Sequence, residues 1–275
     1  MKLFITGRGV NGSWKIRGEQ LGAAIGATAS PRAQSFGSAD AVILVKRPIP
    51  LPTSLPIIWD IVDAWPQPDG NSWSREQAID WLKGLVFQIA PKAIVAATDR
   101  MARDIREWFD GPVLFLPHHA RPGQAINPIR ENVSVIGYEG SSIQLGSWRQ
   151  RLEIICARRG WEFKMNPCSM AGVDVAIAMR DRKGYPARFW KSNVKLANAQ
   201  ATGTPIVLGR ESGYLESQSG AERWADDENE LEAALDSLVP FEARAIASST
   251  LLSSFVPIEV IANRYSTWLE STLKS

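Results

Sequence analysis

The sequence predicts an α/β protein built of two Rossmann-like units, and three observations lead there. Apolar runs of strand length alternate with helix-periodic stretches along most of the 275 residues. Two glycine-rich turns, Gly7-Arg8-Gly9-Val10-Asn11-Gly12 and Gly137-Tyr138-Glu139-Gly140, each follow an apolar run and precede a helical pattern. Over residues 174–216 an apolar run, a cationic stretch, a helix start and a second apolar run succeed one another. An α/β protein builds an anion site in that order, because unpaired N–H groups and the helix dipole both favour negative charge.

Length and composition bound the class. With 45% hydrophobic and 22% charged residues, 275 residues suffice for two modest cores. No apolar run approaches the ~20 residues that cross a bilayer. The short apolar run after Lys2 reads as a first strand, too brief for the core of a signal peptide. Cys156 and Cys168 are too few and too widely spaced for a metal knuckle or a disulfide framework, so reduced thiols in a cytoplasmic protein are expected. A net charge of +2 excludes a generic polycation, yet arginines cluster as Arg100, Arg103 and Arg106, and as Arg149, Arg151, Arg158 and Arg159. Those clusters are either solvated helix faces or footing for a phosphate-rich partner such as nucleic acid. Eleven tryptophans is a high number; most should pack, and some can stack on sugars or bases.

In the first half, residues 2–6 form a strand and residues 14–25 a helix, with Ile16, Leu21, Ala24 and Ile25 on its inner side. A dinucleotide fingerprint at residues 7–12 would require an acid about 20 positions on. Residues 28–34 contain none, which leaves a nicotinamide-dependent oxidoreductase as the alternative reading of that loop. Residues 41–45 and 57–62 are buried strands. Asp60 and Asp63 end the second, where open parallel sheets place their ligands, and are candidate general bases or else turn formers ahead of Pro66 and Pro68. Ser74 caps a helix that runs to residue 89 and stops before Pro91. A strand at 93–97, a helix at 99–109 and a strand at 112–116 then deliver His118 and His119, the only two histidines. Neighbours on extended chain point opposite ways, so the pair cannot easily share a metal, and at most one serves as base or donor. The polar, proline-bearing piece at 123–132 is the linker.

The second half repeats the plan. A strand at 133–136 leads into the turn at 137–142 and a helix over 145–158, followed by strands at 162–165 and 175–179. A loop carrying Arg180, Arg182, Lys183, Arg188 and Lys191 comes next, with Ser192 at the N-cap of a helix whose inner residues include Val194, Leu196, Ala197 and Ala201. Gly203 and Pro205 stop it, and residues 205–208 form the next strand. Residues 230–238 and 257–273 are helical, the latter with Val260, Ile261, Tyr265 and Leu269 at helical spacing.

The run Lys195-Leu196-Ala197-Asn198-Ala199-Gln200-Ala201-Thr202-Gly203-Thr204-Pro205-Ile206-Val207, followed by Gly213-Tyr214-Leu215-Glu216, resembles the donor half of GT-B-fold glycosyltransferases. Their pattern is K-L-x-E-A-x-A-x-G-x-P-V-I and then a G-x-x-E turn. One position departs: the family's helix glutamate, which holds the donor ribose, falls on Asn198. The resemblance implies two Rossmann-like domains facing across a cleft, an acceptor domain over 1–127 with the terminal helix 257–275 packing back, and a donor domain over 128–256. It implies metal-independent transfer of a sugar from a nucleotide-diphosphate donor to an acceptor hydroxyl, with no cofactor besides the nucleotide sugar. Arg180, Arg188, Lys191 and Lys195, with backbone from Ser192, Asn193 and Val194, would hold the diphosphate; Arg182 and Lys183 would be solvated. Glu139 with Gly140, Asn198, Glu211, Tyr214 and Glu216 would meet ribose or sugar hydroxyls. Gly9, Asn11, Gly12 and His119 would line the acceptor side, and His118, Asp60 or Asp63 would act as base. The acceptor would be a small molecule, a glycan or a hydroxylated base in DNA pulled from its stack. A non-catalytic nucleic-acid-binding module is the further alternative, and no membrane segment is expected.

Overall fold

Short apolar runs with two faces to bury pair most readily as parallel strands beneath helices. The chain does this twice. The structure, a computed structural model, describes residues 1–9, 12–63, 65, 72–181 and 183–274. It divides into one unit of Met1–His119, Lys183–Asn193 and Pro257–Ser275, and a second of Ala120–Arg182 and Val194–Val256. The units meet in sequence at residues 119 and 120, ahead of the linker expected at 123–132, and the first also takes a piece from the middle of the second.

In the first unit, β1 (Leu3–Gly7) leads to a π-helical turn over Trp14–Gln20 that runs into α1 (Leu21–Ala24). Then follow β2 (Thr28–Ala29), β3 (Ala41–Val45), β4 (Ile57–Asp60), α2 (Arg75–Ile89), β5 (Ala93–Ala96), α3 (Asp99–Arg106) and β6 (Val113–Phe115). Every strand pair is parallel, in the order β2-β1-β3-β4-β5-β6, so the direction of winding reverses between β1 and β3. Alternate residues feed opposite layers: Ile43, Val45, Ile58 and Val95 enter one core, and Leu44, Trp59, Ile94 and Ala96 the other. Ser74 caps α2 with a reciprocal Gln77 bond, as its sequence implies.

The second unit holds β7 (Val135–Tyr138), α4 (Ser142–Leu145), α5 (Trp148–Arg159), β8 (Glu162–Met165) and β9 (Val175–Ala178). The chain then contributes α6 (Gly184–Phe189) to the first unit. It resumes the second with α7 (Val194–Thr202), β10 (Ile206–Leu208), α8 (Ser212–Leu215), β11 (Arg223–Trp224), α9 (Glu228–Ser237) and α10 (Phe241–Ser253). This sheet is also parallel, ordered β11-β10-β9-β7-β8, with its reversal between β7 and β9. Finally α11 (Ile258–Lys274) joins the first unit, where Ile261, Ala262, Tyr265 and Leu269 are core residues. Val260, expected to share that face, is exposed instead.

Several elements differ from the sequence reading for identifiable reasons. The helix expected from residue 14 opens as a π-turn in which Gly18 leaves room for the Trp14 indole; a Cβ there would stand 2.7 Å from the ring. The helix expected over 145–158 is broken at Gly146, whose φ of +59° suits glycine. A Cβ there would overlap Asp181, whose carboxylate accepts from the Ser147 amide (2.8 Å) and hydroxyl (2.9 Å) at the start of α5. The cationic stretch expected as a loop contains α6. Helix α7 begins at Val194, so the residue before it is Asn193, one position later than the Ser192 cap expected. Helix α10 carries too weak an apolar stripe to be read from sequence. Gly203, at φ +64°, ends α7 and lets α10 approach: a Cβ there would meet Ser248 at 2.6 Å.

By length and composition the stretch Phe241–Lys274 is apolar enough to cross a membrane, although polar residues interrupt it throughout. In the fold it is two helices, with Ala247 and Leu251 of α10 in the core of the second unit and α11 in that of the first.

Buried Arg244 ties α10 to the start of its unit. It donates to the carbonyls of Leu238 (2.8 Å), Val239, Arg130 (2.7 Å) and Glu131 (2.9 Å). Arg244→Leu leaves these acceptors unpaired, and should lower the unfolding free energy by about 3 kcal/mol in urea titrations.

Candidate functional site

In open parallel sheets, side chains converge beyond the carboxyl ends of the strands beside the winding reversal. In the second unit that place is the end of β7 and β9. Gly140 follows β7 at φ +137°, a conformation essentially reserved for glycine. Asn166 holds it from both sides, accepting from the Gly140 amide (2.7 Å) and donating to its carbonyl (3.0 Å). A Cβ on Gly140 would lie 3.2 Å from the Tyr138 hydroxyl and 3.4 Å from Lys195 Nζ. Lys195, in the first turn of α7, sets its ammonium 3.7 Å from the centroid of the Tyr138 ring.

Beside this lies a carboxylate held by an amide. Asn198 Nδ2 donates to Glu139 Oε2 (2.9 Å), while Asn198 Oδ1 accepts from the Arg121 amide (2.9 Å) and Gln124 Nε2 (3.2 Å). Arg121 also pairs with Glu139 at 3.2 Å. The helix position lacking a carboxylate in sequence therefore draws one in from the end of β7.

Arg180, Glu211 and Tyr214 are placed differently from the sequence expectation. Arg180 Nε lies 2.8 Å from Glu211 Oε1, and its Nη2 donates to the Tyr214 hydroxyl at 2.8 Å. All three are buried. Burial disfavours the charge on Arg180, but Glu211 beside it, together with the Tyr214 and Tyr138 phenols, outweighs this and raises its pKa. Burial likewise pushes the Tyr214 phenol up. Rather than reaching outward, these residues form a buried ion pair and hydrogen bond inside the second unit. Glu216, half-buried, closes α8.

Four residues assigned by sequence to the same cluster, Arg188, Lys191, Ser192 and Asn193, belong to the first unit. The cause is aromatic. Tyr185, Phe189 and Trp190 pack into that unit's core, and Tyr185 Oη (2.7 Å) and Trp190 Nε1 (2.8 Å) both donate to buried Asp104. The Tyr185 amide donates to the Trp73 carbonyl (2.7 Å) and Thr98 Oγ1 to that of Phe189 (3.0 Å). Three aromatics among the cations were the signal available in sequence. Arg188 is exposed over the Phe189 ring, Ser192 is buried, and Lys191 reaches Asp63 at 3.0 Å. Arg182 lies outside the described residues.

The expected bases of the first unit are enclosed. Asp60 is buried, 3.4 Å from Arg17 on the π-turn, and accepts from the Val62 amide at 3.1 Å; burial raises its pKa. Arg17 also donates to the Leu116 carbonyl at 2.5 Å. Val62, a β-branched residue at φ +74°, stores about 1–3 kcal/mol of backbone strain. Its carbonyl accepts a hydrogen bond from His118 Nε2 (3.0 Å). Asn193 clasps the His118 backbone, accepting from its amide (2.8 Å) and donating to its carbonyl (3.3 Å). Asp63 sits between Lys46 (3.1 Å) and Lys191 (3.0 Å), which hold its carboxyl far below the usual range despite burial. It is thus a weak base. His119 Nε2 meets Gln20 Oε1 at 3.0 Å.

Next to the β1–β3 reversal, a cavity of about 210 Å³ is lined by Arg8, Gly9, Trp14, Val45, Lys46 and Arg47. Gly9 is required at φ +74°, where a Cβ would strike Pro31 at 2.5 Å. Gly12 is exposed with open space about it, and Asn11 lies outside the described residues. Arg8, Lys46 and Arg47 were missed by sequence reasoning, since single cations after strands carry no motif.

Two parallel sheets of this winding, with a glycine turn after the first strand of each and the chain returning to end in the first unit, are the GT-B glycosyltransferase fold. Solved structures bear this out. Sucrose-phosphate synthase from Thermosynechococcus elongatus matches over 99% of this chain and 99% of its own, at 9% identity and a TM-score of 0.64. The apo form of the lipopolysaccharide outer core galactosyltransferase WaaB matches over 98% and 100%, at 10% identity and 0.57. AviGT4, a glycosyltransferase involved in avilamycin A biosynthesis, matches over 99% and 98%, at 12% identity and 0.56. By sequence, no protein-family model and no curated protein matches the chain.

Gly140→Ala should cost about 2 kcal/mol in denaturant unfolding, because a side chain at that φ is strained and presses on Tyr138. Both imidazoles are held neutral: burial, then Arg17, lowers His118 well below 6.5 and His119 to about 4. The unfolded chain therefore binds protons that the fold refuses. Their stabilising contribution is complete above pH ~6.5 and is lost as pH falls toward about 4. Melting temperature should start to drop below pH 6.5, before carboxylates titrate, and His119→Gln should flatten that part of the curve.

Proposed function

We propose that this chain transfers a sugar from a nucleotide-diphosphate donor to an acceptor hydroxyl, with the donor held by the second unit. The observation that carries the reading is the placement of Lys195. Its ammonium stands over Tyr138, beside the Gly140 turn and in the first turn of α7, whose leading amides have no intrahelical partner. Cation and amides together suit a diphosphate, and they favour it more as negative charge grows on the departing group. On this reading the leaving group needs no metal. Glu139, steadied by Asn198, is the carboxylate for the ribose hydroxyls.

The bases also bear on stereochemistry. Asp60 and His118 are enclosed, and Asp63 is pinned as an anion between two ammoniums. That favours a transfer in which the departing diphosphate itself takes the proton of the acceptor hydroxyl, with retention at the anomeric carbon. The arginine face on α5 offers little uncompensated charge to DNA. Arg149 pairs with Glu153, Arg151 with Glu228, Arg158 with Glu232, and Arg159 with Asp236. A small molecule or glycan is the better acceptor. The unpaired thiols Cys156 and Cys168 suit a reducing compartment, and we place the protein in the cytoplasm.

A thermal-shift screen against UDP-, GDP-, ADP- and TDP-sugars should give a selective rise with one of them. Lys195→Ala should weaken that binding at least about tenfold, or ~1.4 kcal/mol, while the unliganded melting temperature barely moves. No rise with any donor, or equal loss of stability and affinity in the variant, would sink the reading.

A further inference from the structure

The first unit carries a second cavity that the donor chemistry does not use. It has a volume of about 440 Å³ and is lined by Arg8, Arg47, Trp65, Trp73, Trp81 and Leu85, among others. Arg8 and Arg47 also line the cavity at the glycine turn, so the two are neighbouring compartments with a shared cationic wall. On its other side, Pro48 and Gln88 are shared with a third hollow of about 320 Å³ walled by Ile49, Leu51, Ile57 and Ile89. A groove therefore runs from the β1–β3 reversal, past two guanidinium groups, over an indole cluster and on to aliphatic side chains.

The indoles are fixed. Trp65 and Trp81 meet edge to face at 5.1 Å and 75°, and Trp73 and Trp81 at 5.9 Å and 62°. Trp65 Nε1 is used inward, on the Ile61 carbonyl at 2.8 Å. Trp65 thus contributes carbon surface rather than a donor, and the ring faces of Trp73 and Trp81 extend that surface. The cations have the opposite character. Arg17, Arg75, Arg100 and Arg103 of this unit all have carboxylate partners, while Arg8 and Arg47 have none among the described residues. Both are exposed, and the Arg47 guanidinium lies 5.8 Å from the Trp65 ring centre. A fork of five donors without an acid matches a phosphate or carboxylate, and one ring's width away the surface is apolar.

We propose that this groove binds an anionic amphiphile, a molecule carrying a phosphate or carboxylate on an aromatic or aliphatic body. The anion lies between Arg8 and Arg47, and the body lies on Trp65, Trp73 and Trp81. Calling that ligand the acceptor rests on the transferase reading; the binding site does not.

Tryptophan emission and calorimetry on the full chain can test this with 1-naphthyl phosphate and with dodecyl phosphate below its micelle concentration. Inorganic phosphate, 1-naphthol and dodecanol serve as half-ligand controls. Either amphiphile should bind at least tenfold more tightly than its two halves, and whichever binds better identifies a flat or a chain-like body. Arg47→Ala and Trp81→Phe should each weaken it at least fivefold, and added salt should weaken it further. If neither amphiphile exceeds its halves, or if both variants bind as the parent does, the proposal is wrong. The donor screen on the same unmodified protein separates the two ideas. A donor shift without amphiphile binding overturns only this inference, whereas amphiphile binding without a donor shift overturns the transferase reading and leaves the groove.

Discussion

One buried carboxylate decides how the cationic centre of this chain is shared out. Asp104 is almost fully enclosed, accepts from Tyr185, Trp190 and Arg75, and forms an ion pair with Arg100. An acid in that position is tolerable only with such partners, and removing one leaves a charge that the interior cannot solvate. The bonds therefore hold the stretch Lys183–Asn193 on the first unit although its neighbours on both sides belong to the second. What reads in sequence as one phosphate-binding loop becomes two sets of residues. Lys195 and Asn198 serve one sheet, and Lys191 and Asn193 brace Asp63 and His118 beside the other.

The parallel sheets were legible because buried strands leave near-continuous apolar runs, as in Ala41–Val45 and Val175–Ala178. The helix cap at Ser74 was equally local, a side chain meeting a backbone amide three positions on. Lys195 was legible because its helix carries a spaced pattern ending in glycine and proline. The destination of Lys183–Asn193 was not, since it rests on partners some 80 positions away in sequence. Nor were Arg8, Lys46 and Arg47, whose only distinction is where parallel pairing delivers them. Asp60 and His118 looked like bases because they end strands. Only the π-turn, which swings Arg17 inward, shows that they are interior.

Asn198 illustrates how a departure in a motif can be compensated in space. An amide cannot replace a carboxylate as an acceptor-only group, but it can donate. By donating to Glu139 it fixes a carboxylate at the same corner, from a strand end some sixty residues earlier in the chain.

The return of α11 sets an order on biosynthesis. Residues 3–7 are made well before Leu269, which belongs to the same core. The second unit, wholly encoded between residues 120 and 256, has every strand and helix available before that core can close. The first unit can therefore close only after the second has been made, and its nascent sheet waits with one flank open until α11 emerges.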